Sequence, residues 1–190
     1  MIPANYSDKA IIVDILTQSF DSNKSVNYAV KQDKKRIQRI KRLMNYSFET
    51  CWHFGEIYLT DDKKGVVLII LPEKKRTTFK GIIEDLKLTL FSIGITRVSK
   101  ILERESRIKK YHPEKYMYLW YLGVDPQYQG KGVGSSLLKD IIDLGQKRKL
   151  PIYLETSTER NLPLYQRFNF KLYQELDFNS TLFMFKREPD

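Results

Sequence analysis

Three glycines in the segment Gln129-Gly130-Lys131-Gly132-Val133-Gly134 have the spacing that speaks most directly to chemistry. Positions without a Cβ, placed where an apolar run gives way to helical spacing, let backbone N–H groups approach an anion at the positive end of a helix. A pyrophosphate suits such a cradle. Two other phosphate loops do not suit these residues. The dinucleotide fingerprint needs glycine where Ser135 stands, and the nucleotide-triphosphate loop needs Gly-Lys-Ser/Thr after four intervening residues. A tight strand-to-helix connection without a ligand is also compatible with the turn, so its neighbours have to decide.

Few other residue types offer chemistry. Cys51 is the only thiol, and His53 and His112 are the only imidazoles. Neither a disulfide framework nor a structural metal site built on thiolates and imidazoles is expected, and no metal is assigned. Cys51, beside Trp52, reads as a small packed hydrophobe rather than a nucleophile.

The elements that must position the turn follow from hydrophobic periodicity. Ser7 is expected to cap a helix carrying Ile11, Ile12, Ile15, Leu16 and Phe20, and Asp33 a second carrying Ile37, Ile40, Met44 and Phe48. Ile57, Tyr58 and Leu59 lead through Asp61-Asp62-Lys63-Lys64 into Val66-Val67-Leu68-Ile69-Ile70, which predicts a hairpin ended by Pro72. Residues 79–110 return to helical spacing through Phe79, Ile82, Ile83, Leu86, Leu90 and Phe91, then Val98, Ile101, Leu102 and Ile108. Residues 116–124, apolar or aromatic without alternation, predict a central strand covered on both faces. After the turn, Val133, Leu137, Leu138, Ile141, Ile142 and Leu144 predict a helix ending near Gly145. Residues 152–156 then return as a strand of the same sheet. Asn161 suits an N-cap, Pro163 a first turn and Asn169 a left-handed closing position, before two last strands over 170–176 and 181–186.

The segment from Leu122-Gly123-Val124-Asp125-Pro126 through Gln127-Tyr128-Gln129-Gly130-Lys131-Gly132-Val133-Gly134-Ser135 resembles the coenzyme A signature of the GNAT superfamily of acyltransferases. That signature is Gln/Arg-x-x-Gly-x-Gly/Ala after a strand ending Val-x-Pro. Leu154-Glu155-Thr156-Ser157 and Arg160-Asn161-Leu162-Pro163-Leu164-Tyr165-Gln166-Arg167-Phe168-Asn169-Phe170 resemble its second block, in the same order. The wording of both is similar to the puromycin N-acetyltransferase-like branch, and the resemblance covers residues 112–175. It departs from that branch where His-x-Tyr-Leu is replaced by Tyr116-Met117-Tyr118-Leu119, so a histidine that would assist the acceptor is missing from the strand. It departs again at Asn169, where glycine is usual.

The resemblance implies a GNAT fold of the α/β (α+β) class: a mixed, mostly antiparallel sheet with a splayed parallel strand pair, flanked by helices. One domain over residues 1–190 is expected. It divides into an N-terminal part with an acceptor-side helical insertion (1–111), an acetyl-CoA-binding core (112–175) and a C-terminal strand (176–190). It implies acetyl-CoA as acyl donor and transfer to an amine. The backbone of Leu122, Gly123 and Val124 would hold the pantetheine arm and acetyl carbonyl. Gln129, Gly130, Lys131, Gly132, Val133, Gly134 and Ser135 would hold the pyrophosphate, and Asn161 the other side of the arm. Tyr165, otherwise a plain core tyrosine, becomes the general acid for the leaving thiolate. The base is open. Glu155, on the strand beside the cleft, is the leading residue, although it could pair instead with Arg160 or Arg167. His112 and Glu114 rank lower, and direct attack with proton loss to water is a further route.

Composition sets the outer limits. A chain of 190 residues with 42% hydrophobic and 13% aromatic residues buries a core of one-domain size. No window approaches about 18 apolar residues, so no membrane association is expected and the location is cytoplasmic. The formal charge of +10 favours anionic partners. The basic run from Lys24 to Arg42 lacks aromatic interleaving, which points to a solvated helix face rather than a nucleic-acid surface. The acceptor expected is a small-molecule amine. A protein amine and a coenzyme A-binding module without turnover are the alternatives, and a homodimer is left open.

Overall fold

The computed structural model describes residues 1–74, 95–178 and 180–190. In chain order the elements are β1 (Ile2–Pro3), α1 (Lys9–Ser19), α2 (Lys24–Ala29), α3 (Arg36–Phe54), β2 (Gly55–Leu59), β3 (Gly65–Ile70) and α4 (Ile95–Lys109). They continue with β4 (Met117–Val124), α5 (Val133–Arg148), β5 (Ile152–Thr156), α6 (Leu162–Arg167), β6 (Lys171–Asp177) and β7 (Thr181–Arg187). The seven strands form one sheet in the order β1-β2-β3-β4-β5-β7-β6. Every neighbouring pair is antiparallel except β4 and β5. This is the mixed sheet with one parallel pair that the resemblance implied.

The apolar runs explain the strand order. All six residues of β3 are buried, and β4 sits fourth of seven, so both strands are covered on two faces as their unbroken hydrophobicity requires. On one face α1, α2 and α3 lay Ile12, Leu16, Val26, Ile40, Met44 and Phe48 against Leu59, Val66, Leu68 and Tyr121. On the same face, further along the sheet, Ile108 of α4 packs with Leu176, Leu182 and Met184. The opposite face receives Leu137, Leu138 and Ile141 of α5 on Val67, Ile69, Met117, Leu119, Ile152 and Leu154.

Two irregularities re-aim side chains, as bulges generally do. The register of β3 with β4 shifts between Leu68↔Tyr121 and Ile69↔Leu119, leaving Trp120 as the extra residue. Trp120 and Tyr121 consequently both pack on the α1/α3 face, their ring centroids 5.2 Å apart. On β6 the shift between Leu172 and Gln174 makes Tyr173 the extra residue.

The hairpin, the central strand and the strand-helix-strand unit fall where periodicity placed them. Four details differ. Ser7 is exposed inside a 3-10 turn (Tyr6–Asp8), and α1 begins at Lys9, because the Asp8 carboxylate bonds back to the Asn5 N–H at 2.9 Å and fixes the entry there. The helix after the glycine turn runs on to Arg148 and closes on Lys149 in the left-handed region (φ 54°). Gly145 lies inside it, where a Cβ would come 2.9 Å from Ile152 Cδ1, so the glycine permits helix-to-strand contact instead of ending the helix. β6 runs to Asp177, so the boundary expected at 176 falls inside a strand. Helix α2 was not expected; Asn23 caps it by accepting from the Val26 N–H at 3.0 Å. The helical spacing from Phe79 to Phe91 lies outside the described residues.

Asp33 does not cap the second long helix as expected: the N-cap of α3 is Lys35, without a side-chain capping bond, and Asp33 accepts from the Lys35 N–H at 2.9 Å in the turn that precedes it. It also takes both donors of the Arg39 fork, which together hold its carboxyl down at about 2. With Arg36 paired to Asp21 at 2.5 Å, part of the basic run is engaged in local ion pairs.

Candidate active site

β4 and β5 pair only through Met117↔Ile152 and Tyr118↔Tyr153. From Leu119 to Val124 and from Leu154 to Thr156 the two strands have no ladder partner on their facing edges, so the parallel pair opens into a cleft. Backbone N–H and C=O groups in such a cleft are available to a ligand, since buried main-chain groups require partners. The opened sheet separates two sets of side chains, one on each face.

The α5 face is built from the glycine turn. Gly130 and Gly132 adopt φ of 75° and 86°, a region that side chains with a Cβ disfavour, and a Cβ at either would meet nothing within 4 Å. The glycines thus serve conformation and leave open space above the loop. Gly132 is the N-cap of α5, and the first helical bond runs from the Ser136 N–H to the Gly132 carbonyl. The N–H groups of Val133, Gly134 and Ser135 precede it and point out of the helix end. Lys131 and Lys64 both lie over the Tyr128 ring, at 5.1 Å and 4.2 Å, which sets two ammonium groups beside the turn. A helix end, bare glycines and two cations together fit a pyrophosphate.

Individual positions are more varied than the motif suggests. The Gln129 amide folds back to donate to the Val124 carbonyl at 3.1 Å, closing the loop onto the strand end. Gly123 is buried, and its missing Cβ would collide with Leu16 Cδ2 and Ser19 Oγ, both at 2.9 Å; its smallness admits α1 on the opposite face. Leu122 packs on the α5 face, near Gly134. Asn161 occupies the N-cap position of α6 without making a capping bond. Tyr165 is half-buried against Phe170 and Phe185, at 5.9 Å and 5.5 Å between ring centroids. Burial pushes its phenol up to about 12, so it is a protonated donor at any ordinary pH. Asn169 takes φ of 60°, as the left-handed closing residue.

The α4 face holds a carboxylate surrounded by phenols and an imidazole. His112 Nε2 lies 2.8 Å from Glu155 Oε1, the Tyr118 hydroxyl donates to Glu155 Oε2 at 2.5 Å, and the Tyr116 hydroxyl lies 2.8 Å from His112 Nδ1. Burial, then the Glu155 charge, keeps the Tyr116 and Tyr118 phenols well above their ordinary range. They remain donors, so Tyr116 donates to Nδ1, and the imidazole proton resides on Nε2, facing Glu155. The His112 and Glu155 side chains are each 5% exposed. Tyr153 stacks edge-on against both His112 and Tyr116, and Tyr173, aimed by its bulge, lies edge-on to Tyr153. The Tyr173 hydroxyl is buried without a partner among the described residues.

A second network closes this face at the far end of β5. Buried Ser157 accepts from the Ser25 N–H at 3.1 Å and the Ser25 hydroxyl at 2.9 Å. Arg104 of α4 donates to Ser25 Oγ at 2.9 Å, its guanidinium over the rings of Tyr28 and Phe178.

The structure therefore decides between the alternatives for Glu155: its partners are His112 and Tyr118, not Arg160 or Arg167. It also returns an imidazole to the place where the strand lacks one, because His112, held by its N–H to the Lys109 carbonyl at the end of α4, reaches in beside Tyr116 and Tyr118. Tyr118, Tyr116 and Tyr173 were missed as site residues. The only local signal was the density of tyrosines on the central strand, which reads equally as core. Cys51 is fully buried and its thiol is pushed up by burial, in keeping with a packing role.

Residues 93–170 match the model of the acetyltransferase (GNAT) family. A 67-residue stretch is 36% identical to the spermine/spermidine N(1)-acetyltransferase of Bacillus subtilis (strain 168), covering 33% of this chain and 44% of that protein. A 73-residue stretch is 36% identical to an uncharacterized N-acetyltransferase of Schizosaccharomyces pombe, covering 38% of this chain and 29% of that protein. The chain thus spans less than half the length of these relatives. Across the whole fold, the crystal structure of a histone acetyltransferase HPA2 and related acetyltransferase from Corynebacterium glutamicum superposes with a TM-score of 0.71 at 20% identity, covering 100% of this chain and 95% of that one. Arylalkylamine N-acetyltransferase 2 from Aedes aegypti gives 0.64 at 16% identity, covering 99% and 97%. The chain has the GNAT fold, and the family's model matches its segment 93–170.

Proposed function

We propose that this protein is an acetyl-CoA-dependent N-acetyltransferase acting on a small-molecule amine. The observation that carries the reading is the opened β4/β5 pair with a glycine-lined helix end on one face and a buried, hydrogen-bonded carboxylate on the other. When bound, the thioester supplies the activated acetyl group. The protein's part is to hold, orient and move protons. Val133, Gly134 and Ser135 N–H groups with Lys131 hold the pyrophosphate. The unpaired edge of Leu122, Gly123 and Val124 lines the pantetheine arm, with Asn161 across the cleft. Tyr165, kept protonated by burial, donates to the departing thiolate. Glu155 receives the proton the amine loses.

The amine class is supported by the names of similar proteins: the B. subtilis relative acts on spermine and spermidine, and fold neighbours include a polyamine N acetyltransferase of Drosophila melanogaster. The wording of the two motif blocks supports a place near the puromycin N-acetyltransferase-like branch. Release of free thiol from acetyl-CoA across a panel of amines tests the reading. Amine-dependent release is expected; no release with any amine, while coenzyme A still binds, would leave a binding module instead.

A further inference from the structure

Glu155 lies at the acceptor face, yet its carboxylate has no open route to an amine. Oε1 faces the His112 imidazole and Oε2 is covered by the Tyr118 hydroxyl, while the side chain is 5% exposed. Tyr118 is half-buried and is the last residue of β4 paired to β5, so it stands at the vertex where the two strands part. Tyr153, its partner across the vertex, and Glu155, two residues beyond on the same face of β5, complete the wall. The hydroxyl of Tyr118 thus caps Oε2 at the vertex of the opened strand pair, with its proton already turned toward Glu155.

We propose that Tyr118 is the catalytic residue that contacts the acceptor amine, and that Glu155 takes the proton through it. This rests on the acetyltransfer reading above. As the new N–C bond forms and the C–S bond breaks, an amine N–H proton moves to Tyr118 Oη, and the proton already on Oη moves to Glu155 Oε2. The carboxylate ends neutral, the phenol ends as it began, and the thiolate takes its proton from Tyr165, which is reprotonated from solvent as Glu155 returns its gained proton there. The two transfers together avoid a free phenolate, which this burial would disfavour. His112 is a positioning residue. Its Nε2–H, set by the Tyr116 donor on Nδ1, fixes Oε1 and leaves Oε2 aligned on Tyr118.

Kinetics of Tyr118→Phe, Glu155→Gln and the double variant, with spermidine and 2-phenylethylamine as probes, test the relay. Each single variant is expected to lower kcat by about 100-fold, the scale of general acid–base catalysis, with the double variant within about threefold of the singles because one chain is cut at two points. Proton inventories in mixed light and heavy water should bow for wild type and become linear in Tyr118→Phe, a change that loss of packing alone would not produce. A Tyr118→Phe variant within about threefold of wild type, or multiplicative losses in the double variant, would overturn the proposal. Coenzyme A affinity, measured calorimetrically, reports whether each variant is folded. Should wild type release no thiol with any amine, the acetyltransfer reading fails on its own, and the chain is judged on the unloaded protein by proton NMR. A slowly exchanging downfield hydroxyl resonance, lost in Tyr118→Phe and displaced in both Glu155→Gln and His112→Gln, sustains it. Its absence from wild type refutes it.

Discussion

On one face of the opened sheet the polar groups come from a stretch of backbone, and on the other they come from side chains gathered across the chain. The α5 face draws mainly on consecutive residues of a single turn and its helix, with Asn161 and Tyr165 added from the next short helix and Lys64 from the turn between β2 and β3. The α4 face brings Glu155 of β5 to Tyr118 of β4, 37 positions away, and to His112, 43 positions away. It also joins Ser25 to Ser157 across 132 positions. A backbone cradle tolerates change in most side chains provided the glycines keep their φ. A side-chain cluster depends on every partner. The two faces should therefore fail separately, one in donor affinity and the other in turnover.

The strongest attempt to break that separation is Glu155→Gln. Turnover should fall about 100-fold, with coenzyme A affinity within about twofold of wild type, as read by steady-state kinetics and calorimetry. Gly132→Asp attacks the other face. A Cβ at a φ of 86° costs about 1–2 kcal/mol, and the carboxylate places negative charge at the proposed pyrophosphate site, so coenzyme A should bind about 100-fold more weakly.

Tyr165→Phe should lower kcat about 10-fold to 100-fold by removing the acid for the thiolate. Because burial raises this phenol to about 12, its proton is present throughout the neutral range and is lost only as pH climbs toward that value. The wild-type rate should consequently show no alkaline limb from Tyr165 below about pH 10, the lower edge of the range approaching that titration. A fall in kcat near pH 8 that vanishes in Tyr165→Phe would contradict the assignment.

Gly123→Ala gives the smallest effect and the sharpest contrast. In sequence it belongs to the donor block, but in space its added Cβ presses on Leu16 and Ser19 of α1. Both contacts are side-chain ends that can shift, so a loss of about 1 kcal/mol, or roughly 2–4 °C in Tm, is expected with donor affinity nearly unchanged.

These differences explain what could be read before the fold was known. A turn needs its glycines at fixed offsets, so the glycine turn at the start of α5, the short helix and the closing Asn169 were legible from contiguous residues. The strand pair was legible as well, since β3 and β4 announce two-sided burial by unbroken apolar runs. The partners of Glu155 were not, because they depend on which strand lies beside β5 and on where the end of α4 delivers His112. The bulges at Trp120 and Tyr173 carry no signal in periodicity, although each decides which face an aromatic side chain meets. Gly145 looked like a helix end because glycine commonly closes helices, whereas here contact with Ile152 selects it.

The division of labour between the faces is tested most directly by titrating coenzyme A calorimetrically into Glu155→Gln, the variant expected to have lost thiol release. A dissociation constant within about twofold of wild type is predicted, since the proposed donor site on the α5 face is separate from the proposed proton transfer on the α4 face. Loss of coenzyme A binding in a folded Glu155→Gln protein would contradict it, and would make the carboxylate part of the donor site.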